Sequence, residues 1–173
     1  VAAGADGNVY VADTGNFTVR QITPSGVVTT IGGFSGVPGA ADGINSQSRF
    51  FGPVAIAVDR QNRIFIVDAA RDSSGTWNEP RSALKAIQQQ GTNWVTKTIV
   101  GGSAKLGGWS PREHVPFGIT ISPSGNLYVC DCLNNVIYEV REVGPSWRVD
   151  LIAGQPRYVT GQKPPTSNAL VIA

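Results

Sequence analysis

A short segment recurs three times along the chain, and this internal repeat limits the possible folds more than any other feature of the sequence. Each copy has a turn followed by a strand of β-branched and aromatic residues that ends in Asp. The three copies are Gly7-Asn8-Val9-Tyr10-Val11-Ala12-Asp13, Asn62-Arg63-Ile64-Phe65-Ile66-Val67-Asp68 and Gly125-Asn126-Leu127-Tyr128-Val129-Cys130-Asp131. After a gap, each copy leads to another strand that closes on glycine, at Gly33, Gly102 and Gly154. A chain that restates one unit in this way favours a repeat architecture over a sandwich or a closed barrel.

The third copy shows the whole unit most clearly. Its turns, marked by Pro-Ser-Gly, Asn-Asn and Gly-Pro-Ser, separate four apolar or alternating stretches, which we predict to be strands at 117–122, 126–132, 136–143 and 147–153. In the second copy, residues 82–90 are predicted to form the third strand. Four-stranded antiparallel units repeated along a chain are the blades of a β-propeller. The sequence therefore predicts an all-β fold of three four-stranded blades, at approximately 1–50, 51–114 and 115–173, in a single propeller segment.

The first copy closely resembles the NHL repeat. The resemblance lies in Tyr10-Val11-Ala12-Asp13-Thr14-Gly15-Asn16-Phe17-Thr18-Val19-Arg20-Gln21-Ile22, in the linker over 36–43, and in residues 50 and 52–59. It extends over nearly the whole chain in three copies. It implies a propeller, most often of six blades. It also implies a structural role for the repeated acids, whose carboxylates are expected to accept backbone N–H groups of the following turn. These acids are Asp13, Asp68 and Asp131. The alternative is a ring of carboxylates that binds a metal in the channel.

Three blades are too few to close a propeller. The repeated Asp residues lie 55 and 63 positions apart, and joining the chain ends gives a further interval of 55. The joined sequence, 169–173 followed by 1–8, resembles the internal stretch 54–62. We therefore predict that two chains associate as a six-bladed homodimer in which the last and first strands are shared across the chain ends. The alternative is that the chain is one half of a longer protein, and the absence of Met, even at position 1, keeps this alternative open.

Composition narrows the classes of partner. Charged residues make up 15% of the chain, the formal net charge is +2, and the basic residues are scattered, so nucleic-acid binding driven by charge is disfavoured. The sequence has no apolar run of about 18 residues, so we expect no membrane-spanning helix. The cysteines, Cys130 and Cys132, stand two apart in a predicted strand, which disfavours a disulfide between them. We predict that both are small buried thiols.

Two segments carry the candidate ligand-binding residues. The second copy is longer than the first, since Asp68 to Gly102 spans 34 residues and Asp13 to Gly33 spans 20, so an insertion of about a dozen residues is placed within 69–82. Aromatic and guanidinium groups in such a loop could stack on a sugar or anchor a peptide. The linker into the third blade holds the single His of the sequence. The candidates are Arg71, Trp77 and Arg81 in the insertion, and Trp109, Arg112 and His114 in the linker.

These observations favour a non-enzymatic binding or assembly module that presents its rim to a protein, a peptide or a glycan. No catalytic residue, cofactor or resident metal is predicted. The alternative is a channel-centred lyase or hydrolase of the propeller type with a bound divalent cation. Propeller lyases and lactonases that resemble this fold use several histidines, whereas this chain has one. Similarity to repeat-rich bacterial surface and secreted proteins leads us to expect a secreted or periplasmic location.

Overall fold

The computed structural model describes residues 1–69, 82–101, 116–132 and 135–154, together with the backbone of 170–172. The candidate ligand-binding residues of both segments lie outside these ranges. The described residues form two short 3-10 helices, Thr14–Asn16 and Asn45–Gln47, and a series of strands. The strands are β1 (Ala2–Ala3), β2 (Val9–Asp13), β3 (Thr18–Ile22), β4 (Val28–Gly33), β5 (Gly43–Ile44), β6 (Pro53–Val58), β7 (Ile64–Asp68), β8 (Ala83–Gln90), β9 (Asn93–Gly101), β10 (Pro116–Ile121), β11 (Leu127–Asp131), β12 (Val136–Val143), β13 (Ser146–Ala153) and β14 (Leu170–Ile172).

The strands form three antiparallel sheets. Their orders are β1-β2-β3-β4, β5-β9-β8-β7-β6 and β10-β11-β12-β13-β14. Each sheet therefore contains four strands in chain order, and the second and third gain a short fifth strand at the outer edge. We call the sheets blades 1, 2 and 3. The all-β prediction is confirmed, as are the strands predicted in the third copy and the strand predicted at 82–90, which is β8.

The blades pack face to face, with their first strands next to one another. β6 contacts both β10 and the first two strands of blade 1. The middle blade packs on both of its faces, and all five residues of β7 are buried. Successive side chains of a strand point to opposite faces. Phe65 and Val67 pack in the core shared with blade 3, whereas Ile64 and Ile66 pack in the core shared with blade 1.

The outer blades are covered on one side. In blade 1, Tyr10 packs against blade 2, and in blade 3, Leu127 and Val129 do the same. The opposite side chains of β2 and β11 point away from blade 2 and are more accessible to solvent. Val9, Val11 and Tyr128 are partly exposed, and Cys130 is exposed.

The prediction of buried thiols is wrong, since both cysteines are exposed and neither is in a disulfide. Cys130 occupies the position that Val67 holds in blade 2, where the side chain is fully buried against the next blade. No blade covers this face of blade 3 among the described residues, so Cys130 faces solvent. Cys132 lies one residue beyond the end of β11.

Each blade closes on a glycine that the backbone requires. Gly33, Gly101 and Gly154 have φ of 87°, 88° and 88°, a region that other residues rarely adopt. A Cβ at Gly33 would lie 2.3 Å from the carbonyl oxygen of Phe17, and equivalent clashes arise at the other two positions. In blade 2 this glycine is Gly101, one residue before the Gly102 expected from the repeat spacing, which lies outside the described residues. The closing glycine is a steric requirement of the close approach between the third and fourth strands. No helix in the described part of the chain is long and apolar enough to cross a membrane.

Candidate functional site

The repeated Asp of blade 2 connects the second strand of the blade to the residues that lead into its first strand. The carboxylate of Asp68 accepts the backbone N–H of Phe51 at 3.1 Å and that of Gly52 at 2.7 Å. These donors precede β6, so the prediction that the Asp binds N–H groups of the following turn is wrong for Asp68. Ala69 adds a backbone bond to the carbonyl of Gly52 at 2.9 Å. Asp68 thus holds the residues that lead into β6 against the end of β7.

The environment of Asp68 also changes its acidity. Its side chain has no exposure to solvent. Burial raises the pKa of Asp68 to about 6, against the opposing effect of the two N–H donors and of the positive charge of Lys85.

The two other repeated acids differ from Asp68 in their surroundings. In blade 1, the side chain of Asn16 donates to the carboxylate of Asp13, with Nδ2 at 2.9 Å from both oxygens. In blade 3, Asp131 is buried. The described residues contain no group of three or more His, Cys, Asp or Glu side chains placed to hold a metal ion.

A buried lysine fastens the linker between blades 1 and 2. Lys85 is fully buried, and its Nζ lies 2.8 Å from the carbonyl oxygen of Ala40 and 3.0 Å from Oδ1 of Asp42. The same carboxylate accepts the N–H and the hydroxyl of Thr98 at 2.8 and 2.7 Å. The linker then continues into β5, which adds to the outer edge of β9. Sequence reasoning missed this site, because Lys85 and Asp42 are 43 residues apart.

A polar groove of about 780 Å³ lies between blades 2 and 3. One wall is the turn between β6 and β7, and the other is the turn between β10 and β11. Arg63 joins blades 2 and 3 beside the groove, since its Nε lies 2.6 Å from Oδ2 of Asp59 in blade 2 and its Nη1 lies 2.8 Å from Oε2 of Glu142 on β12 of blade 3. Asp59 is further fixed by the backbone N–H groups of Gln61 and Arg63, at 2.9 and 2.8 Å.

The second wall of the groove is a tight turn held by its own side chains. The hydroxyls of Ser122 and Ser124 are 2.8 Å apart, and the N–H of Asn126 donates to the Ser122 hydroxyl at 3.1 Å. The N–H of Gly125 donates to the carbonyl of Ser122 at 2.9 Å. The sequence signal for this wall was the Pro-Ser-Gly turn. The groove itself had no sequence signal, because it depends on how two blades sit side by side.

The outward face of blade 3 mixes apolar and charged groups. Ile137 is 39% exposed and Ile152 is 48% exposed. Further along β12 and β13, toward the turn that joins them, Asp150 accepts from Arg141 at 2.5 Å and from Arg148 at 3.0 Å, and Arg141 also lies 3.2 Å from Glu139. The charged groups of this face therefore pair with one another.

Comparison with known proteins gives a likeness in structure. No protein-family model and no curated protein sequence matches the chain. A structural genomics protein of unknown function from Bacteroides thetaiotaomicron is 20% identical with a TM-score of 0.58, and the match covers 78% of this chain and 32% of that one. A protein described as a "putative gluconolactonase" is 16% identical with a TM-score of 0.58, and the match covers 88% of this chain and 47% of that one.

The chain thus spans about a third of the first of these proteins and about half of the second. At such low identities the likeness shows the fold alone. It supports a propeller-like all-β architecture for the three blades described above.

Proposed function

We propose that the chain is an NHL-type binding and assembly module that forms half of a six-bladed ring, and that a second copy completes the ring. The observation that carries this proposal is the incomplete burial of two blade faces. Ile137 of blade 3 is 39% exposed, although the equivalent residues Val19 and Leu84 of the other blades are fully buried. A further blade packed on this face would remove Ile137 and Cys130 from water.

The open face of blade 1 has the residue types needed to cover the open face of blade 3. Val9 and Val11 occupy the positions that Leu127 and Val129 hold in blade 3. Those two residues are buried in the core between blades 2 and 3. A contact between blade 3 of one copy and blade 1 of another would therefore repeat an interface that the chain already contains.

The first strand of blade 1 supports the same arrangement. β6 pairs with five residues of β7, whereas β1 pairs only with Val9 and Tyr10 of β2. By the repeat alignment, residues 171–173 followed by 1–3 correspond to 53–58. The C-terminal strand of a second copy would extend β1 and bring backbone N–H groups to Asp13. In the structure β14 pairs with β13 of its own chain, so closure requires β14 to leave that edge.

Sedimentation equilibrium and thiol labelling test this assembly. We expect a folded species of twice the 18.2 kDa chain mass, with Cys130 protected from a thiol reagent. Ile137→Arg would place a charge in the interface and yield single chains with a reactive Cys130. Val27→Arg, at a 58% exposed apolar position away from that face, is the matched control and should leave the mass unchanged. A folded wild-type species of single-chain mass would contradict the proposal.

The rim segments that hold Trp77 and His114 remain our candidates for contact with a protein, peptide or glycan, and a secreted or periplasmic location remains part of the proposal. A second candidate function is a channel-centred lyase or hydrolase that uses a divalent cation. The likeness to the protein described as a gluconolactonase favours this candidate. Hydrolysis of a sugar lactone that requires added calcium would support it. Equal rates with and without the protein would contradict it.

A further inference from the structure

We infer that the groove between the β6–β7 and β10–β11 turns is a binding site for a neutral oligosaccharide. This inference rests on the proposed role of the chain as a binding module, and it names the ligand class and the place on the rim where the ligand binds. The groove of about 780 Å³ is in the size range of small-molecule sites.

The charges that line the groove are balanced. The charged side chains are two carboxylates and two guanidinium groups, and the neutral polar side chains are two hydroxyls and three amides. These groups belong to Asp59, Glu142, Arg60, Arg63, Ser122, Ser124, Gln61, Gln88 and Asn126. An inorganic anion favours an excess of positive charge, and the formal charges of this lining sum to zero. A sugar hydroxyl both donates and accepts hydrogen bonds, so it can use the Glu142 carboxylate, which is 49% exposed, together with the hydroxyl and amide groups. The Asp59 carboxylate is buried and serves to hold Arg63 in place.

Several of these groups are already held in place. Arg63 is fixed between Asp59 and Glu142, and its guanidinium lies 5.5 Å from the centre of the Phe65 ring. The serines are fixed by their mutual hydrogen bond within the turn. Groups that are ordered before binding lose little conformational entropy when a ligand arrives, which favours a site for small polar ligands.

The groove also offers a modest apolar surface. Val58, Ile121 and Pro123 lie in the lining between the polar groups. Sugar rings present C–H groups on their faces and hydroxyls at their edges, so they match a lining of this mixed kind. The anchor side chain of a peptide favours a well-packed, desolvated pocket, and a lining with this many polar groups does not provide one.

The equivalent turns at the interface between blades 1 and 2 are arranged differently. There the two equivalent turns are in contact, because the N–H of Asp6 in blade 1 lies 3.3 Å from Oδ1 of Asn62 in blade 2. Asp6 is also bonded to the hydroxyl of Tyr10 at 2.7 Å. The space between blades 2 and 3 is therefore a local departure from the repeat, and packing of the blades alone does not require it.

The chain provides a matched pair of variants to test this site. Ser124→Trp would place a large ring in the groove. Ser25→Trp is the control, because Ser25 lies in a turn of the same construction in blade 1, where its hydroxyl is 2.9 Å from that of Thr23 and the N–H of Val27 donates to the Thr23 hydroxyl at 3.1 Å. Both serines are exposed, so both variants should fold.

The experiment is an NMR titration of the isotope-labelled protein with cellotetraose, xylotetraose and mannotetraose, and separately with sodium sulfate and a tetragalacturonate. We expect at least one neutral tetrasaccharide to shift the amide signals of 59–63 and 122–126. Its affinity should fall at least about tenfold in Ser124→Trp and stay within about twofold in Ser25→Trp.

Three results would overturn the inference. These are shifts with sulfate or the tetragalacturonate alone, shifts at residues outside the two turns, and no shift with any neutral sugar. The last result, obtained on a protein that still sediments as two chains with a protected Cys130, would remove the sugar site and leave the proposed assembly intact.

Discussion

The backbone N–H of Gly52 donates to Oδ1 of Asp68 at 2.7 Å, inside a site from which water is excluded. This bond and its partner from Phe51 set the start of β6 relative to the end of β7. Burial raises the pKa of Asp68 to about 6, so the carboxyl group of the folded protein stays protonated to a higher pH than that of an unfolded chain.

This raised pKa predicts a pH-dependent stability. An Asp in the unfolded chain titrates near a pKa of about 3.9, so the folded protein binds the proton more tightly. The stabilising contribution is complete below about pH 4 and is lost as the pH rises through about 6. The free energy of unfolding of the wild type, relative to Asp68→Asn, should fall by up to about 3 kcal/mol between about pH 4 and pH 7. Urea unfolding at several pH values measures this difference, and a constant difference would contradict the prediction.

The second prediction concerns the buried Lys85. Asp42→Asn would leave the ammonium group buried without its charged partner. Since the Asp42 side chain is itself 44% exposed, we expect a loss of about 1–3 kcal/mol rather than the larger cost of a fully buried pair. Adding Lys85→Met should recover part of this loss. Glu142→Gln, at a more exposed ion pair, is the control and should cost less than about 1 kcal/mol. Equal losses for Asp42→Asn and Glu142→Gln would show that the burial of Lys85 has no consequence.

The third prediction compares equivalent positions in two blades. Leu84 is fully buried between blades 2 and 3, so Leu84→Ala should destabilise the protein by about 2–5 kcal/mol. Ile137 stands at the same position of blade 3 and is 39% exposed, so in single chains Ile137→Ala should cost less than about 1 kcal/mol. Denaturant unfolding at low protein concentration gives both values. A large cost for Ile137→Ala in single chains would mean that this face is covered from within the chain.

The fourth prediction separates backbone strain from steric clash. Gly26 and Gly33 have similar positive φ, 84° and 87°. A Cβ at Gly26 meets open space, whereas one at Gly33 meets the Phe17 carbonyl oxygen at 2.3 Å. We expect Gly26→Ala to cost about 1 kcal/mol, from the left-handed conformation alone. Gly33→Ala should cost clearly more, because a backbone atom must also move. Thermal unfolding of the two variants tests this order, and similar midpoints would contradict it.

Strand positions could be predicted from the sequence because the signals that mark them are local. Gly125 ends a Pro-Ser-Gly turn at positive φ, and the alternating residues after 136 define β12 within its observed bounds. Because the three copies of the repeat align with one another, strand positions identified in one blade predict those in the other two. The repeated closing glycines were visible as a pattern, although the clash that requires them needs the structure.

Other features depend on contacts between distant parts of the chain. The exposure of Cys130 is set by whether another blade covers it, and the residue itself gives no sign of this. The burial of Lys85 follows from a linker carboxylate that precedes it by 43 residues, whereas a lysine in a strand is ordinarily expected at the surface. The groove lies between turns of blades 2 and 3, whereas the equivalent turns of blades 1 and 2 are in contact, and a regular repeat does not predict this difference.

The burial of both faces of β7 has a consequence for the order in which the protein opens. In single chains the outer blades should open first, because each packs against only one other blade among the described residues. Amide hydrogens of Ile64, Phe65 and Ile66 should therefore exchange with solvent most slowly, through global opening, while those of β2 and β11 exchange through fraying of one outer blade at a time. We therefore expect the middle blade to unfold only when the whole chain unfolds.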